Sequence, residues 1–191
     1  MVPKGVSKFR QTVVAKLESE QATLTPLSQE MFWKLIEEFA ALEAQLAYDQ
    51  EKLDTLAATH PECQRLMTIP GIGPFTATAL VAAVSDASAF KNGRQFAAWL
   101  GLVPRQHTTG GKERLLGIST RGDTSLRKLL VHGARATIRW VGLKTDRRSQ
   151  WMRQLVERRG TNRTAVAVAN KNARIVWALL THHQDYQLAA G

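Results

Sequence analysis

The sequence predicts a mainly α-helical protein in which a long coiled-coil helix precedes a small helical domain. Two observations predict this class. Residues 24–56 carry apolar side chains at an alternating spacing of three and four, and the rest of the chain shows helical periodicity without sheet-like alternation. The 191 residues, 44% apolar and 22% charged, suit one globular domain plus an extended helix. We divide the chain into 1–60, an N-terminal stub and coiled-coil dimerisation helix, and 61–191, a helical domain.

The first predicted element is one long helix with well-placed ends. Thr25 fits its N-cap and Pro26 its first helical position, while His60-Pro61 marks its end. The apolar side chains of a seam of this length must be buried against another surface. We expect a second copy of the chain, in a homodimer or higher oligomer, rather than packing within one chain. The seam, with one polar position, consists of Phe32, Leu35, Phe39, Leu42, Leu46, Asp49, Leu53 and Leu56.

The domain over 61–191 begins with two short helices around a glycine-containing turn. A helix over 62–68 leads into the turn, and an alanine-, threonine- and leucine-rich helix over 75–84 follows it. Asp123 is well placed as the N-cap of a later helix. The other predicted elements are a helix over 93–100, a basic glycine-rich loop over 101–122 with a short hairpin within 103–118, and helices over 123–141, 149–159 and 164–182. Three tryptophans at apolar helix positions are expected in the core rather than stacked on bases, namely Trp140, Trp151 and Trp177.

Charge is distributed unevenly along the chain. Residues 1–90 hold 7 basic and 11 acidic side chains, a net charge of −4, whereas residues 91–191 hold 19 basic and 5 acidic side chains, a net charge of +14. Fourteen of those 19 cations are arginine, whose planar guanidinium suits phosphate groups and base edges. The C-terminal half is therefore expected to attract a polyanion, and nucleic acid is the partner that this imbalance favours.

Several other classes of protein lack support in the sequence. No apolar run approaches the roughly 20 residues that span a bilayer, and the N-terminus lacks the apolar core of a secretion signal. A single cysteine, Cys63, cannot form an internal disulfide or a zinc ribbon, and the five histidines lack ligand spacing. A P-loop and a dinucleotide fingerprint are also absent from the sequence. We expect a cytoplasmic protein without a membrane partner and without a metal site in this chain.

The turn between the first two short helices resembles a helix-hairpin-helix DNA-binding motif. Its two glycines, Gly71 and Gly73, let the backbone turn sharply, so that amides at the start of the following helix can approach a phosphate. Such a contact binds the sugar-phosphate backbone without reading bases. The alternative is a turn that needs glycine only for close packing of helices. The motif reads Ile69-Pro70-Gly71-Ile72-Gly73-Pro74-Phe75-Thr76-Ala77.

Cations concentrate in and just before the predicted helix over 123–141. Lys128, Arg135 and Arg139 lie at positions i, i+7 and i+11, on one face of that helix. A charged face is usually only solvated. Here the preceding loop adds further cations, and only Glu113 and Asp123 oppose them, which suits a phosphate track. The eight candidate contacts are Arg105, Lys112, Arg114, Arg121, Arg127, Lys128, Arg135 and Arg139.

A series of ordered motifs lies between residues 69 and 139. Besides the glycine turn it comprises Arg94-Gln95-Phe96-Ala97-Ala98-Trp99-Leu100-Gly101-Leu102-Val103-Pro104-Arg105, His107-Thr108-Thr109-Gly110-Gly111-Lys112, Gly117-Ile118-Ser119-Thr120-Arg121-Gly122-Asp123, Leu126-Arg127 and His132-Gly133-Ala134-Arg135-Ala136. Together these motifs closely resemble the C-terminal domain of the DEDD transposases. Those proteins are insertion-sequence recombinases related to the Piv and MooV site-specific invertases, and some use a bridge RNA to choose target and donor DNA.

The resemblance implies the architecture of a recombinase. Family members have an N-terminal RuvC-like nuclease domain with four acidic metal ligands, a coiled coil that mediates dimerisation, and a C-terminal domain with a nucleophilic serine before a glycine. Residues 1–23 do not resemble the nuclease domain. We therefore expect the chain to be the C-terminal portion of such a transposase, with Mg²⁺ held in the N-terminal domain and no cofactor in this chain.

The resemblance also assigns a candidate nucleophile. The family's serine falls on Thr109, followed by Gly110, and the threonine methyl group crowds an in-line attack on phosphorus. The alternative for Thr109 is a loop residue that caps a glycine turn. Ser119 is a weaker candidate nucleophile. His107 is a candidate base or phosphate contact, although a lone loop histidine is more often neither.

The function expected from the sequence is that of the DNA-binding portion of a transposase. The full-length protein would act in DNA transposition and recombination by hydroxyl attack on a phosphodiester, whereas this chain would be inactive alone. DNA, a structured guide RNA and a second copy of the chain are the expected partners. The alternative is a non-catalytic architectural nucleic-acid-binding protein, for which the lack of an acidic metal cluster is the discriminating feature. A pure coiled-coil interaction module is disfavoured by the charge of residues 91–191.

Overall fold

The prediction of a mainly α-helical fold is confirmed. The computed structural model describes residues 6–19, 24–109 and 112–187. The chain divides into two compact units, Met1–Lys52 and Leu53–Gly191. In chain order, the described elements are α1 (Val6–Ser19), α2 (Pro26–Thr59), α3 (Pro61–Met67), α4 (Pro74–Ala83), a 3₁₀ turn (Ala87–Ala89), α5 (Gly93–Trp99), β1 (Pro104–Thr109), β2 (Lys112–Ile118), α6 (Thr124–Arg139), a 3₁₀ turn (Val141–Leu143) and α7 (Arg147–His182).

The first unit pairs α1 with the N-terminal part of α2. The rings of Phe9 and Phe39 meet edge to face with centroids 6.2 Å apart, and Arg10 Nη1 lies 2.6 Å from Glu43 Oε2. No helix is predicted from the sequence before residue 26, so α1 is a correction to the predicted stub. The four-residue spacing of Phe9, Val13 and Leu17 is the signal that predicts it, and Leu17 is buried.

The predicted long helix is confirmed as α2. It begins at Pro26, with the Thr25 Oγ1 atom accepting a hydrogen bond from Ser28 N, and α3 follows it at Pro61. Most of the apolar seam is exposed on the single chain, and its pairing with a second copy stays a prediction. The exposed seam residues are Phe32, Leu35, Leu42, Leu46 and Leu56.

The second unit is organised around α7. Both α5 and α6 pack against this helix, while α3 and α4 pack against each other. The N-termini of three helices are capped by side chains that accept backbone hydrogen bonds: Asn92 for α5, Asp123 for α6 and Asp146 for α7. The largest fully buried apolar side chains of the core are Phe96, Leu66, Ile69, Leu80, Leu100, Leu102, Leu130, Met152, Val168 and Val176.

The last two predicted helices are two halves of α7, separated by a kink. Gly160 has φ 77° and ψ 164°, a conformation that glycine adopts without steric cost, and helical geometry continues on both sides of it. Thr164 Oγ1 donates a hydrogen bond to Gly160 O at 2.9 Å, which satisfies a carbonyl group at the kink. The predicted break over 160–163 is therefore a single residue.

The predicted short hairpin is confirmed as an antiparallel pair of strands. Thr109 faces Lys112 at its tip and Pro104 faces Ile118 at its base, with a register shift between Pro104 and Gln106. Within the described residues, no helix has both the length and the apolar character needed to cross a membrane.

Candidate nucleic-acid interface

The cationic face predicted on α6 is exposed in the structure. Lys128, Arg135 and Arg139 are all solvent-accessible. The other side of α6 is fixed in the core by Leu126, Leu130, Ala134 and Ile138. The helix starts at the Asp123 cap, whose Oδ1 accepts a hydrogen bond from Leu126 N at 2.8 Å. The three cations are thus presented to solvent from a helix that is anchored on its opposite side.

Two neighbouring groups define the environment of this face. Arg135 Nη2 donates to Asn162 Oδ1 at 3.1 Å, a neutral partner that leaves the guanidinium charge uncompensated. Arg135 and Arg139 also line a groove of about 490 Å³ between α6 and the first half of α7, which includes Arg153 and one carboxylate, Glu157. Positive charge therefore exceeds negative charge along this groove.

The predicted place of Arg127 on the cationic face of α6 is wrong, because the structure buries this residue. Its side chain is only 8% exposed. Its guanidinium donates to Leu100 O at 3.1 Å and to Thr124 Oγ1 at 3.0 Å, so Arg127 joins the end of α5 to the start of α6. Although Arg127 directly precedes Lys128, its side chain can point into the core, because adjacent residues of an α-helix are about 100° apart around the helix axis.

The segment before the β-hairpin and the segment after it cross at its base, with their backbones in close contact. A Cβ atom at Gly122 would lie 1.8 Å from Trp99 O, and one at Gly101 would lie 2.0 Å from Arg121 O, so both positions require glycine. This crossing fixes the base of the hairpin. Arg105 and Arg121 extend from it and are exposed, as the sequence predicts for phosphate contacts.

The candidate nucleophile lies at the tip of the hairpin. Thr109 ends β1 opposite Lys112, and the side chains of Thr109, Lys112 and Arg114 lie outside the described part of the structure. Gly110 also lies outside the described residues. His107 is exposed on β1, whereas the backbone N–H of Ser119 donates to Val103 O at 2.8 Å beside the hairpin base. The catalytic assignment of Thr109 stays a prediction.

The two glycines of the turn before α4 have different surroundings. Gly71 has φ 92°, and a Cβ atom there would lie 2.6 Å from Gly133 O of α6, so close packing requires glycine at this position. Gly73 is the exposed N-cap residue of α4 and has open space around it. Asn172 Nδ2 of α7 donates to Pro70 O at 3.2 Å and holds the turn in place.

The tryptophans occupy two kinds of environment. Trp140 is 57% exposed at the end of α6, with the Arg139 guanidinium 5.9 Å from its ring centroid, so its predicted place in the core is wrong. Trp140 is the C-cap residue of α6, and Ile138 and Val141 on either side of it are buried in its place. Trp151 and Trp177 are half-buried and pack against the core.

The structure also shows a second basic surface, which is absent from the predictions made from the sequence. Arg94 of α5 lies with Arg163, Lys171 and Arg174 of α7 along one open groove. Arg163 and Arg174 are eleven residues apart, the same spacing as Lys128 and Arg139, and this is the signal that indicates a common helix face.

The carboxylates described in the second unit have structural partners or lie apart. Asp123 and Asp146 cap helices, and Asp185 Oδ1 lies 3.5 Å from Arg65 Nε. Within the described ranges, no group of three His, Cys, Asp or Glu side chains is placed to hold a metal ion. These residues therefore do not fit the Mg²⁺ site that the resemblance implies for its family.

Sequence comparison finds similar proteins that are named as transposases or as a gene-inverting protein. The transposase for insertion sequence element IS1111A of Coxiella burnetii (strain RSA 493 / Nine Mile phase I) is 45% identical over 187 residues, 98% of this chain and 51% of that relative. A probable family 20 transposase of Pseudomonas aeruginosa is 49% identical over 177 residues, 93% of this chain and 52% of the relative. A pilin gene-inverting protein of Moraxella bovis is 40% identical over 68 residues, 34% of this chain and 20% of the relative.

The region that the family model matches includes the cationic face of α6 and ends before Arg163, Lys171 and Arg174 of the second basic surface. The chain spans about half the length of the two transposases that it matches. The sequence model of the Transposase IS116/IS110/IS902 family matches residues 63–156, from α3 into the first half of α7. This stretch includes the glycine turn, the β-hairpin and the cationic face of α6. Over residues 63–156 the chain is therefore similar to the transposases of the IS116/IS110/IS902 family.

Proposed function

We propose that this chain is the DNA-binding portion of a transposase that acts in DNA transposition and recombination. The family domain and the two similar transposases support this role. The observation that carries the binding proposal is the exposed face of α6 formed by Lys128, Arg135 and Arg139, which we call the α6 basic face. This face would hold duplex DNA by its sugar-phosphate backbone, largely independently of base sequence.

The dimensions of the α6 basic face suit a duplex. Eleven residues of α-helix rise about 16 Å, and B-DNA carries one phosphate charge per roughly 1.7 Å of its axis, so three cations would meet several phosphates along the track. Arg105 and Arg121, exposed at the base of the hairpin, would add contacts. Gly73, exposed at the start of α4, would let a phosphate approach the backbone there, whereas Gly71 serves packing.

The salt dependence of binding tests this proposal. We expect the triple variant Lys128→Ala/Arg135→Ala/Arg139→Ala to reduce the slope of log K against log salt for a duplex by about 2 to 3, because each phosphate contact contributes roughly 0.9. The matched control removes three cations of the first unit, Lys16→Ala/Lys34→Ala/Lys52→Ala, and should keep the wild-type slope. An unchanged slope in the α6 variant, with native stability, would show that this face points away from DNA.

The reaction proposed for the full-length protein is attack of the Thr109 hydroxyl, the candidate nucleophile, on a DNA phosphodiester. A bond from the threonine oxygen to phosphorus would form, the bond from phosphorus to one DNA oxygen would break, and that strand end would leave as a hydroxyl carrying the proton that the threonine gives up. Mg²⁺, which the resemblance places in another domain, would stabilise charge on the phosphoryl oxygens when bound. The contribution of the described residues is to bind and position the DNA. Strand exchange by a full-length protein, and its loss in Thr109→Ala with unchanged DNA affinity, would support this assignment.

A second candidate function is non-catalytic architectural binding of nucleic acid. The structural partners of Asp123, Asp146 and Asp185 favour it, because these three carboxylates already have partners within the chain. A full-length protein that bends or bridges DNA without exchanging strands would support the architectural role. The remaining partners that we propose are a second copy of the chain, bound through the α2 seam, and a structured guide RNA, whose competition with duplex DNA for the α6 basic face is measurable.

A further inference from the structure

A large groove of the second unit is lined by no residue of the α6 basic face. It has a volume of about 1090 Å³ and is open to solvent between α5, the base of the β-hairpin and both halves of α7, of which the first half contributes Trp151. Its rim carries Arg94, Arg163, Lys171 and Arg174, and we call it the α7 groove. The proposed binding of duplex DNA to the α6 basic face does not use it.

The charge of the α7 groove is uncompensated. No Asp or Glu is among its described lining residues, and the ion pairs described in the structure, Arg10–Glu43 and Arg65–Asp185, do not involve its cations. The pKa of Lys171 lies below its ordinary value because the ammonium group is partly buried and because Arg148, Arg174 and Arg147 repel it. Like charges crowded without a counter-ion favour a bound polyanion, which would relieve this repulsion.

The floor of the groove is apolar, unlike the α6 basic face. The Lys171 ammonium lies 4.6 Å from the Trp151 ring centroid, so cationic and aromatic groups are interleaved within the groove. A duplex hides the faces of its bases and would leave such a floor in water. An unpaired strand exposes phosphates and base faces together, and cationic grooves with aromatic side chains bind unpaired strands through both. The apolar lining residues include Leu102, Pro104, Ile118, Trp151, Val166, Ile175 and Trp177.

The walls of the groove are held by hydrogen bonds and close packing. Asn170 Nδ2 donates to Leu102 O at 3.2 Å, and Trp177 Nε1 donates to Ala87 O and Phe90 O, both at 3.1 Å. A Cβ atom at Gly93 would lie 3.0 Å from Arg174 Cα, so α5 and α7 are in near contact below the rim. A groove with fixed walls loses little conformational entropy on binding.

We propose that the α7 groove binds an unpaired segment of DNA or RNA, with phosphates on Arg94, Arg163 and Arg174 and a base against Trp151. Unpaired strands arise wherever a duplex is opened, so this site would engage a different form of nucleic acid from the α6 basic face. The two surfaces use separate residues. Failure of one proposal would therefore leave the other intact.

Fluorescence anisotropy of labelled oligonucleotides tests the proposal. The probes are oligo(dT) and oligo(U) of about 12 nucleotides, within the range that single-strand binding folds cover, and a blunt duplex. We expect Arg163→Ala/Arg174→Ala to weaken binding of the unpaired probes by about tenfold or more and to change duplex binding by less than about threefold. Tighter binding of oligo(U) than of oligo(dT) would identify RNA as the ligand of the groove, and the reverse order would identify DNA.

The matched control is Lys128→Ala/Arg135→Ala, which removes the same number of exposed cations from the α6 basic face. This variant should weaken duplex binding and leave binding of the unpaired probes near the wild-type value. Two results would overturn the proposal: a groove variant that binds the unpaired probes like wild type, or groove and control variants that weaken both probe types equally. Thermal unfolding of each variant verifies its fold.

Tryptophan fluorescence tests the proposed contact between a base and Trp151. Quenching of tryptophan fluorescence on addition of oligo(dT) should be reduced in Trp151→Phe, because a base stacked on that indole quenches its emission. Equal quenching in wild type and Trp151→Phe would contradict the placement of a base against Trp151.

Discussion

Gly133 of α6 lies directly against the backbone of Gly71, so that a Cβ atom at Gly133 would sit 1.8 Å from the Gly71 carbonyl oxygen. In the other direction, a Cβ atom at Gly71 would sit 2.6 Å from the Gly133 carbonyl oxygen. Both contacts are with backbone atoms, which cannot rotate aside as a flexible side chain does. The pair of glycines therefore lets the turn before α4 dock on α6, backbone against backbone.

We predict that Gly133→Ala destabilises the protein although alanine favours helix. Alanine in place of glycine contributes about 1 kcal/mol of helix propensity, whereas overpacking costs about 1 to 3 kcal/mol, and a contact of 1.8 Å with backbone places Gly133→Ala in the upper part of that range. We expect a net loss of about 1 to 2 kcal/mol in the free energy of unfolding, measured by urea denaturation. Gly142→Ala is the control, because a Cβ atom there meets open space. Equal stability of Gly133→Ala and wild type would disprove the close contact.

Local signals in the sequence predict the helix ends, because capping depends on neighbouring residues. Asp123 caps α6 and Pro26 begins α2, as their positions in the sequence indicate. The same applies to the hairpin, where a glycine pair separates two short strands. The burial of Arg127 does not follow from local signals, because it depends on a hydrogen bond to Leu100 O, 27 positions earlier in the chain. A contact of that kind is set by tertiary packing, so periodicity alone places Arg127 wrongly on the surface.

The binding surfaces are only partly predictable for the same reason. The α6 basic face lies on one helix, and its spacing predicts it. The α7 groove needs Arg94 of α5 beside Arg174 of α7, 80 positions away, and the packing of those two helices brings them together. The helical spacing of Arg163 and Arg174 indicates a shared face but gives no indication of the apolar floor beneath it.

We predict that the chain dimerises through the exposed seam of α2. Leu42 and Leu46 are 68% and 70% exposed on the single chain, and burying such side chains contributes about 1.5 to 3 kcal/mol each. Leu42→Asp/Leu46→Asp should therefore sediment as a monomer under conditions in which wild type sediments as a dimer. Substitution of two exposed polar residues on the other side of the same helix, Lys34→Ala/Glu37→Ala, should leave the dimer intact. A wild-type chain that remains monomeric at roughly tens of micromolar would contradict this prediction.

The Asp146 cap of α7 should make stability depend on pH. Hydrogen bonds from the Ser149 side chain and backbone N–H lower the pKa of Asp146 below its ordinary value of 3.8. The carboxylate therefore contributes stability above its unfolded pKa, and that contribution is lost as the pH falls through the lower folded pKa.

We predict that Asp146→Ala lowers the free energy of unfolding at pH 7 by about 1 kcal/mol, as removal of an N-cap usually does, and that the difference from wild type shrinks on acidification. Asp146→Asn keeps an acceptor for Ser149 N and should retain much of the stability with a weaker pH dependence. Urea denaturation at several pH values measures all three proteins. A deficit in Asp146→Ala that grows as the pH falls would have the wrong sign for this mechanism.

The last prediction is that this chain alone neither cleaves nor joins DNA. Exchange of a phosphodiester needs a nucleophile and strong stabilisation of charge on the phosphoryl oxygens, which in two-metal sites comes from cations held by several carboxylates. Asp123, Asp146 and Asp185 are engaged in capping and pairing, so they are not available as such a clamp. Supercoiled plasmid incubated with the chain and Mg²⁺ should stay intact, and a denaturing gel should show no covalent protein–DNA adduct. An adduct that disappears in Thr109→Ala but persists in Ser119→Ala would overturn this prediction, since Thr109 would then act as a nucleophile without the proposed metal-binding domain.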